Sequence, residues 1–144
     1  MENQQLTLAT RCLWEFQEMT PEVEGLMLIG QDGGILTTTL ARTQSVQRVA
    51  GIVSTLVVLA RQATETWNRG EFREVRVRYT DEQSRLRDAQ LIIVTDEIIL
   101  VVIHQRPAAL GRGSVTIAYN ARQAQQALAH ILAGDVSLPF IPWL

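Results

Sequence analysis

The sequence is poor in the residues that mark the more specialised protein classes. It has one cysteine, Cys12, in 144 residues. An internal disulfide is therefore impossible, and a reducing, cytoplasmic setting is the expectation. It has no excess of positive charge: the formal net charge is −2. That excludes the electrostatic footprint of a nucleic-acid-binding protein. It has no long apolar run. The longest, Leu91–Ile103, is interrupted by Asp96 and Glu97 and falls short of the roughly 20 residues a membrane span needs. The opening MENQQLTLAT lacks a basic segment followed by an apolar one, so no signal peptide is expected. No internal repeat, low-complexity tract or catalytic signature stands out.

Candidates for chemistry are correspondingly few. His104 and His130 lie far apart, and neither has a Cys, His or acid at metal-ligand spacing, so each is read as structural. Cys12 falls on the apolar stripe of the first helix and is read as core rather than nucleophile. GRGS at Gly111–Ser114 lacks the spacing and the lysine of a phosphate-binding loop. Asp32, Asp96 and Glu97 adjoin turns, where acids are common, so paired-carboxylate catalysis is not expected. No cofactor and no metal are implied.

What is present is a globular composition, 47% hydrophobic and 19% charged, in a chain of single-domain size. Leu8, Cys12, Phe16 and Met19 recur at helical spacing over 5–19, and Pro21 closes that helix. A strand over 23–30 runs into Asp32-Gly33-Gly34, a turn tolerant of positive φ, and returns over Ile35–Leu40. A helix free of proline follows over Ser45–Asn68, roughly 36 Å long. Ser45 is its candidate N-cap and Gly70 its stop. Its expected buried stripe is Val46, Val49, Val53, Leu56, Val57, Ala60, Ala63 and Trp67. Residues 72–80 alternate as a half-buried strand, with a turn at Asp81–Ser84 or, at its longest, Asp81–Ala89. Strands over 90–95 and 98–103 flank Asp96-Glu97. The second of these is apolar without alternation and is expected at the sheet centre. A last helix begins at Val115 or Asn120, runs to Ala133 and stops at Gly134.

The order helix, two strands, long helix, three strands, helix resembles the roadblock / dynein light chain family. PEVEGLMLIGQDGGILTTTL is similar to that family's opening hairpin, SVQRVAGIVSTLVVLARQATETWNRG to its central helix, and EIILVVIHQRPAALGRGSV to its last strand and the entry to its last helix. The resemblance covers about residues 5–133, leaving 134–144 as an apolar tail. It implies an α+β, roadblock-like (profilin/longin-like) fold. This is a five-stranded antiparallel sheet with the long helix on one face and the terminal helices on the other. It also implies a non-catalytic dimer, joined through the third strand and the central helices. Prokaryotic members of the MglB-like kind work with a small Ras-like GTPase and can stimulate its GTP hydrolysis.

The residues carry two expected contact surfaces. On the long helix, Gly51, Ser54, Thr55 and Val58 form a small-residue seam flanked by Arg48, Arg61 and Glu65. The seam is either a solvated face or a close helix–helix contact. The contact explains a mid-helix glycine that costs about 1 kcal/mol against alanine. On the third strand, Arg76 and Arg78, with Arg73, either guard an open edge or flank one that pairs with a twin. Trp143, in the tail DVSLPFIPWL, is a third candidate anchor for a partner. The tail either folds back or binds elsewhere, and it lacks the charged extension expected of an MglB-type activator. A GTPase-independent assembly adaptor and a PAS- or GAF-like small-molecule sensor remain the alternative readings. A sensor requires a cavity on one sheet face.

Overall fold

A computed structural model describes residues 3–68, 70–105 and 112–134. The elements are α1 (Asn3–Met19), β1 (Val23–Gly30), β2 (Ile35–Thr38), α2 (Gln44–Asn68), β3 (Glu74–Thr80), β4 (Leu86–Thr95), β5 (Ile98–Gln105) and α3 (Arg112–Leu132). The sheet is antiparallel in the order β2-β1-β5-β4-β3. The α+β architecture and the central position of the last strand are as the sequence implied. β5 has buried side chains on both of its faces.

Strand alternation splits the core into two layers. Val23, Leu26, Leu28, Ile92, Leu100 and Val102 face α1 and α3, where they meet Ala9, Cys12, Leu13, Phe16, Ala121, Ala124 and Leu128. Met27, Ile29, Leu91, Ile99 and Val101 face α2 and meet Ala50, Val53 and Val57. Small alanines on α3 let that helix approach the sheet closely.

Local chemistry sets the element ends. Pro21 follows α1, and the buried Thr20 hydroxyl accepts a 2.6 Å hydrogen bond from Asn120 Nδ2 partway along α3, which begins at Arg112 and so before the expected Val115 or Asn120. In the first hairpin Gly33 has φ +89°, a conformation that costs an L-residue about 1–2 kcal/mol. There Gly34 N–H donates to Asp32 Oδ1. The cap of α2 is Thr43 rather than Ser45. Val46 N–H donates to Thr43 Oγ1 at 3.2 Å, and Gln47 N–H to the Thr43 carbonyl at 3.1 Å. β4 starts at Leu86, four residues before the expected strand, because the β3–β4 turn closes at once. Asp81 Oδ1 accepts from the N–H groups of Gln83 and Arg85, both at 2.9 Å. Gly134 ends α3 at φ +89° as expected of a helix stop; among the described glycines Gly70 does not adopt positive φ.

Candidate protein-interaction surface

α2 carries two apolar stripes, and only one of them packs on its own sheet. The packed stripe is Val46, Ala50, Val53 and Val57, with Ser54 beside it. The second stripe is open to solvent: Val49 is 44% exposed, Ile52 61%, Leu56 37% and Leu59 57%. Trp67 is exposed farther along the same helix. The expected buried stripe therefore merged two faces. Val53 and Val57 lie in the core, whereas Val49, Leu56, Ala63 and Trp67 do not. The spacings 46/50/53/57 and 49/52/56/59 are both helical, so periodicity cannot say which faces the sheet.

The small-residue seam sits elsewhere than expected. Ser54 is buried, and its hydroxyl donates to the Gln31 carbonyl at the first hairpin. A Cβ added at Gly33 would meet the Gly51 Cα at 3.2 Å. Arg61 Nη1 donates to the Asp96 carbonyl at 3.4 Å, in the β4–β5 turn. This flank of α2 thus leans on the two hairpin turns of its own chain. Ser54 is corrected from exposed seam to intramolecular anchor. Val58 and Arg61 are half-buried; Arg48, Gly51, Thr55 and Glu65 are exposed.

β3 closes one side of the sheet, and among the described residues no strand lies beside its outer backbone edge. Its seven residues are almost all exposed. The other edge differs: β2 is only four residues long, and Arg42 Nη2 donates to the Leu36 carbonyl there. Long, open edges invite pairing with another chain, and short, capped ones do not. Val75, Val77 and Tyr79 project to the α2 side of the sheet, where Val77 and Tyr79 remain more than a third exposed. The open stripe of α2, the uncovered end of the sheet and the β3 edge therefore border one another.

The charged residues of this region are arginines paired to acids. All 13 basic residues of the chain are arginine, whose planar fork bonds carboxylates at two points. Arg78 does so with Asp88, through Nε at 3.0 Å and Nη2 at 3.5 Å. Arg76 Nε lies 3.6 Å from Glu74 on the same strand. Arg76 and Arg78 thus lie on the α3 side of β3, off its backbone edge. Arg87, missed by the sequence reading, is only 5% exposed. Its Nε meets Glu24 at 3.0 Å and its Nη2 meets Asp81 at 3.5 Å. Backbone N–H donation, that of Arg85 foremost, holds the Asp81 carboxyl below its ordinary value. Partial burial, then the Glu24 carboxylate, pushes the Tyr79 phenol up.

An open groove of about 670 Å³ runs from Arg61 and Glu65 on α2, past Arg73 and Arg76, to Arg122 and Gln125 on α3. Both acids and arginines line it. Cys12 is buried, and desolvation pushes its thiol up to about 12, far from a nucleophile's range. His104 is buried between Gln90 Nε2 at 3.1 Å and the Gln105 carbonyl at 2.7 Å, a satisfied structural pair of contacts. Among the described residues no helix is long and apolar enough to cross a membrane. Trp143 and the tail lie outside the described residues.

The family model of the Roadblock/LC7 domain matches residues 13–104. No curated protein matches the chain. Among solved structures the chain is similar to MglB of Myxococcus xanthus, with 15% identity, 93% of this chain and 94% of that one covered, and a TM-score of 0.74. It is similar to the gliding protein MglB of Thermus thermophilus, with 17% identity, 93% and 95% covered, and a TM-score of 0.73. A Roadblock/LC7 domain of Streptomyces avermitilis gives 17% identity, 86% and 97% covered, and a TM-score of 0.73. At such identities the likeness is one of fold.

Proposed function

This chain belongs to the Roadblock/LC7 family, and from that premise we propose that it is a homodimeric, non-catalytic regulator or scaffold for a small Ras-like GTPase. The family is one of small-GTPase-associated regulators and adaptors. The observation that carries the dimer is the open stripe Val49–Ile52–Leu56–Leu59 bordering the unpaired β3 edge. A two-fold axis beside β3 would pair that edge with its copy and lay each open stripe over apolar surface of the other protomer. Arg76 and Arg78 do not oppose this, since their charges are met by Glu74 and Asp88 and point away from the edge.

The GTPase reading rests on family membership, and Arg48, Gly51, Thr55, Arg61 and Glu65 are the α2 residues left near the surface for such a partner. The test is to mix the protein with candidate small GTPases and follow both complex formation and GTP hydrolysis. Binding with faster hydrolysis supports an activator. Binding at an unchanged rate leaves a scaffold. Absence of binding across the GTPases encoded beside this protein's gene would refute the reading and leave a GTPase-independent adaptor. A small-molecule sensor is disfavoured by the two packed layers that cover the sheet.

A further inference from the structure

Apart from α2 and β3, which are assigned to the dimer, an exposed apolar strip lies on α1. It lies on the opposite layer, on the flank of α1 that faces β2. Leu6, Thr10 and Trp14 follow one another there at intervals of four residues, so they line one side of the helix. The Thr10 hydroxyl lies 2.7 Å from that of Thr37, which fixes this side against β2. Leu6 is 36% exposed and Trp14 45%, and Leu36 of β2 is half-buried against the core layer beneath α1. A half-exposed tryptophan in line with Leu6 offers an apolar platform with a polar N–H at its edge.

The chain itself supplies a matching occupant. The described chain leaves α3 at Gly134, whose N–H bonds to the Ile131 carbonyl at 3.1 Å. Gln5 Nε2 donates to the carbonyls of Ile131 and Leu132, at 3.3 and 3.5 Å. The exit point is therefore tied to the first turn of α1, one residue from Leu6. The segment that follows, DVSLPFIPWL at 135–144, is apolar and has prolines three apart at 139 and 142. Prolines at this spacing are the pattern that aromatic-lined grooves accept.

We propose that residues 135–144 fold back over their own domain and dock on the α1–β2 flank, with the Pro139–Pro142 unit against Trp14. The lengths agree. From Gln5 to Trp14 is about 14 Å along the helix axis, and crossing the helix adds about 10 Å. Extended at about 3.1 Å per residue, the five to eight residues from Gly134 to the Pro139–Pro142 unit reach about 16–25 Å. The open stripe of α2 lies on the other side of the sheet, so it is not the surface the exit point adjoins. This docking does not depend on the dimer or on a GTPase.

The experiment uses the full chain with a nitroxide on Leu144→Cys. Cys12 stays in place because it is buried and unreactive. Amide signals of residues 6–14 and 35–38 are expected to broaden, and to stay broadened when the labelled chain is diluted into excess unlabelled chain. Trp14→Ser, at an exposed position outside the core, should weaken that broadening severalfold, as should Phe140→Ser with Ile141→Ser. Broadening centred on residues 49–59, even broadening everywhere, loss on dilution, or indifference to Trp14→Ser would each overturn the proposal.

Discussion

Replacing Ile52 with aspartate tests the dimer most directly. Ile52 belongs to neither core cluster and is 61% exposed, so the fold has little to lose. The exposed fractions of Val49, Ile52, Leu56 and Leu59 amount to about two whole side chains per protomer. At ~1.5–3 kcal/mol for each fully buried aliphatic side chain, two protomers gain ~6–12 kcal/mol on pairing. Association costs ~4–15 kcal/mol. The stripe alone thus only roughly balances that cost, and β3 pairing with Val77 and Tyr79 must supply the surplus. In such a balance one position counts heavily. Ile52→Asp forfeits ~1–2 kcal/mol per protomer, hence ~2–4 kcal/mol per dimer, before any penalty for burying two carboxylates. That alone weakens self-association ~30–1,000-fold. Sedimentation over a concentration series should show a wild-type dimer and a variant monomer with an unchanged circular dichroism spectrum. An Ile52→Asp dimer of wild-type affinity, or a monomeric wild type throughout the series, would refute the reasoning.

Three further outcomes follow from the geometry. Gly51→Ala should stabilise the fold by about 1 kcal/mol in denaturant unfolding, since a Cβ there meets nothing within 4 Å and a mid-helix glycine is costly. It should leave dimer affinity unchanged because Gly51 lies on the hairpin flank; a weakened dimer would restore the small-residue seam as a helix–helix contact. Ser84 sits at φ 60° in the β3–β4 turn, so Ser84→Gly should raise stability by about 1 kcal/mol. A lower melting temperature would show that the serine is held there by its contacts and not merely tolerated. Asp81 titrates below its ordinary 3.8 in the folded state, chiefly through the Arg85 N–H. Its contribution is complete above 3.8 and lost as pH falls through the depressed value. The stability gap between wild type and Asp81→Ala should therefore be flat near neutrality and shrink as pH drops below 3.8. A gap that widens on acidification would contradict the assignment.

The fold was legible because each strand carries its own local signal. Val75, Val77 and Tyr79 alternate, Asp32-Gly33-Gly34 forces a turn, and Ile98–Ile103 is apolar on both sides, which only a central strand tolerates. Errors arose where two local signals compete. Thr43 and Ser45 are both good caps, and the choice depends on which hydroxyl the first free N–H groups of α2 can reach. Leu86–Ala89 reads as turn because Arg87 and Asp88 are charged. They are strand residues because Arg78 on β3, Asp81 in the turn and Glu24 on β1 pair with them. Glu24 is distant in sequence, and Arg78 and Asp81 come into reach only once the β3–β4 hairpin has closed.

The interaction surface was less legible for a more general reason. A helix that packs on its own sheet and on a second chain must be apolar on two sides. In one dimension its stripes blur into a broad apolar face. The reading from spacing therefore assigned Val49 and Leu56 to the core and sought the interface among Gly51, Ser54, Thr55 and Val58, the small residues that remained. In the structure that flank leans on the chain's own hairpins through Ser54 and Arg61, while the second apolar stripe is the one left exposed. α2 has more apolar positions than one sheet face can cover. An apolar surplus of this kind, on a helix of a chain with little net charge, is itself the sign of a partner, and it points to the stripe that the core leaves unused.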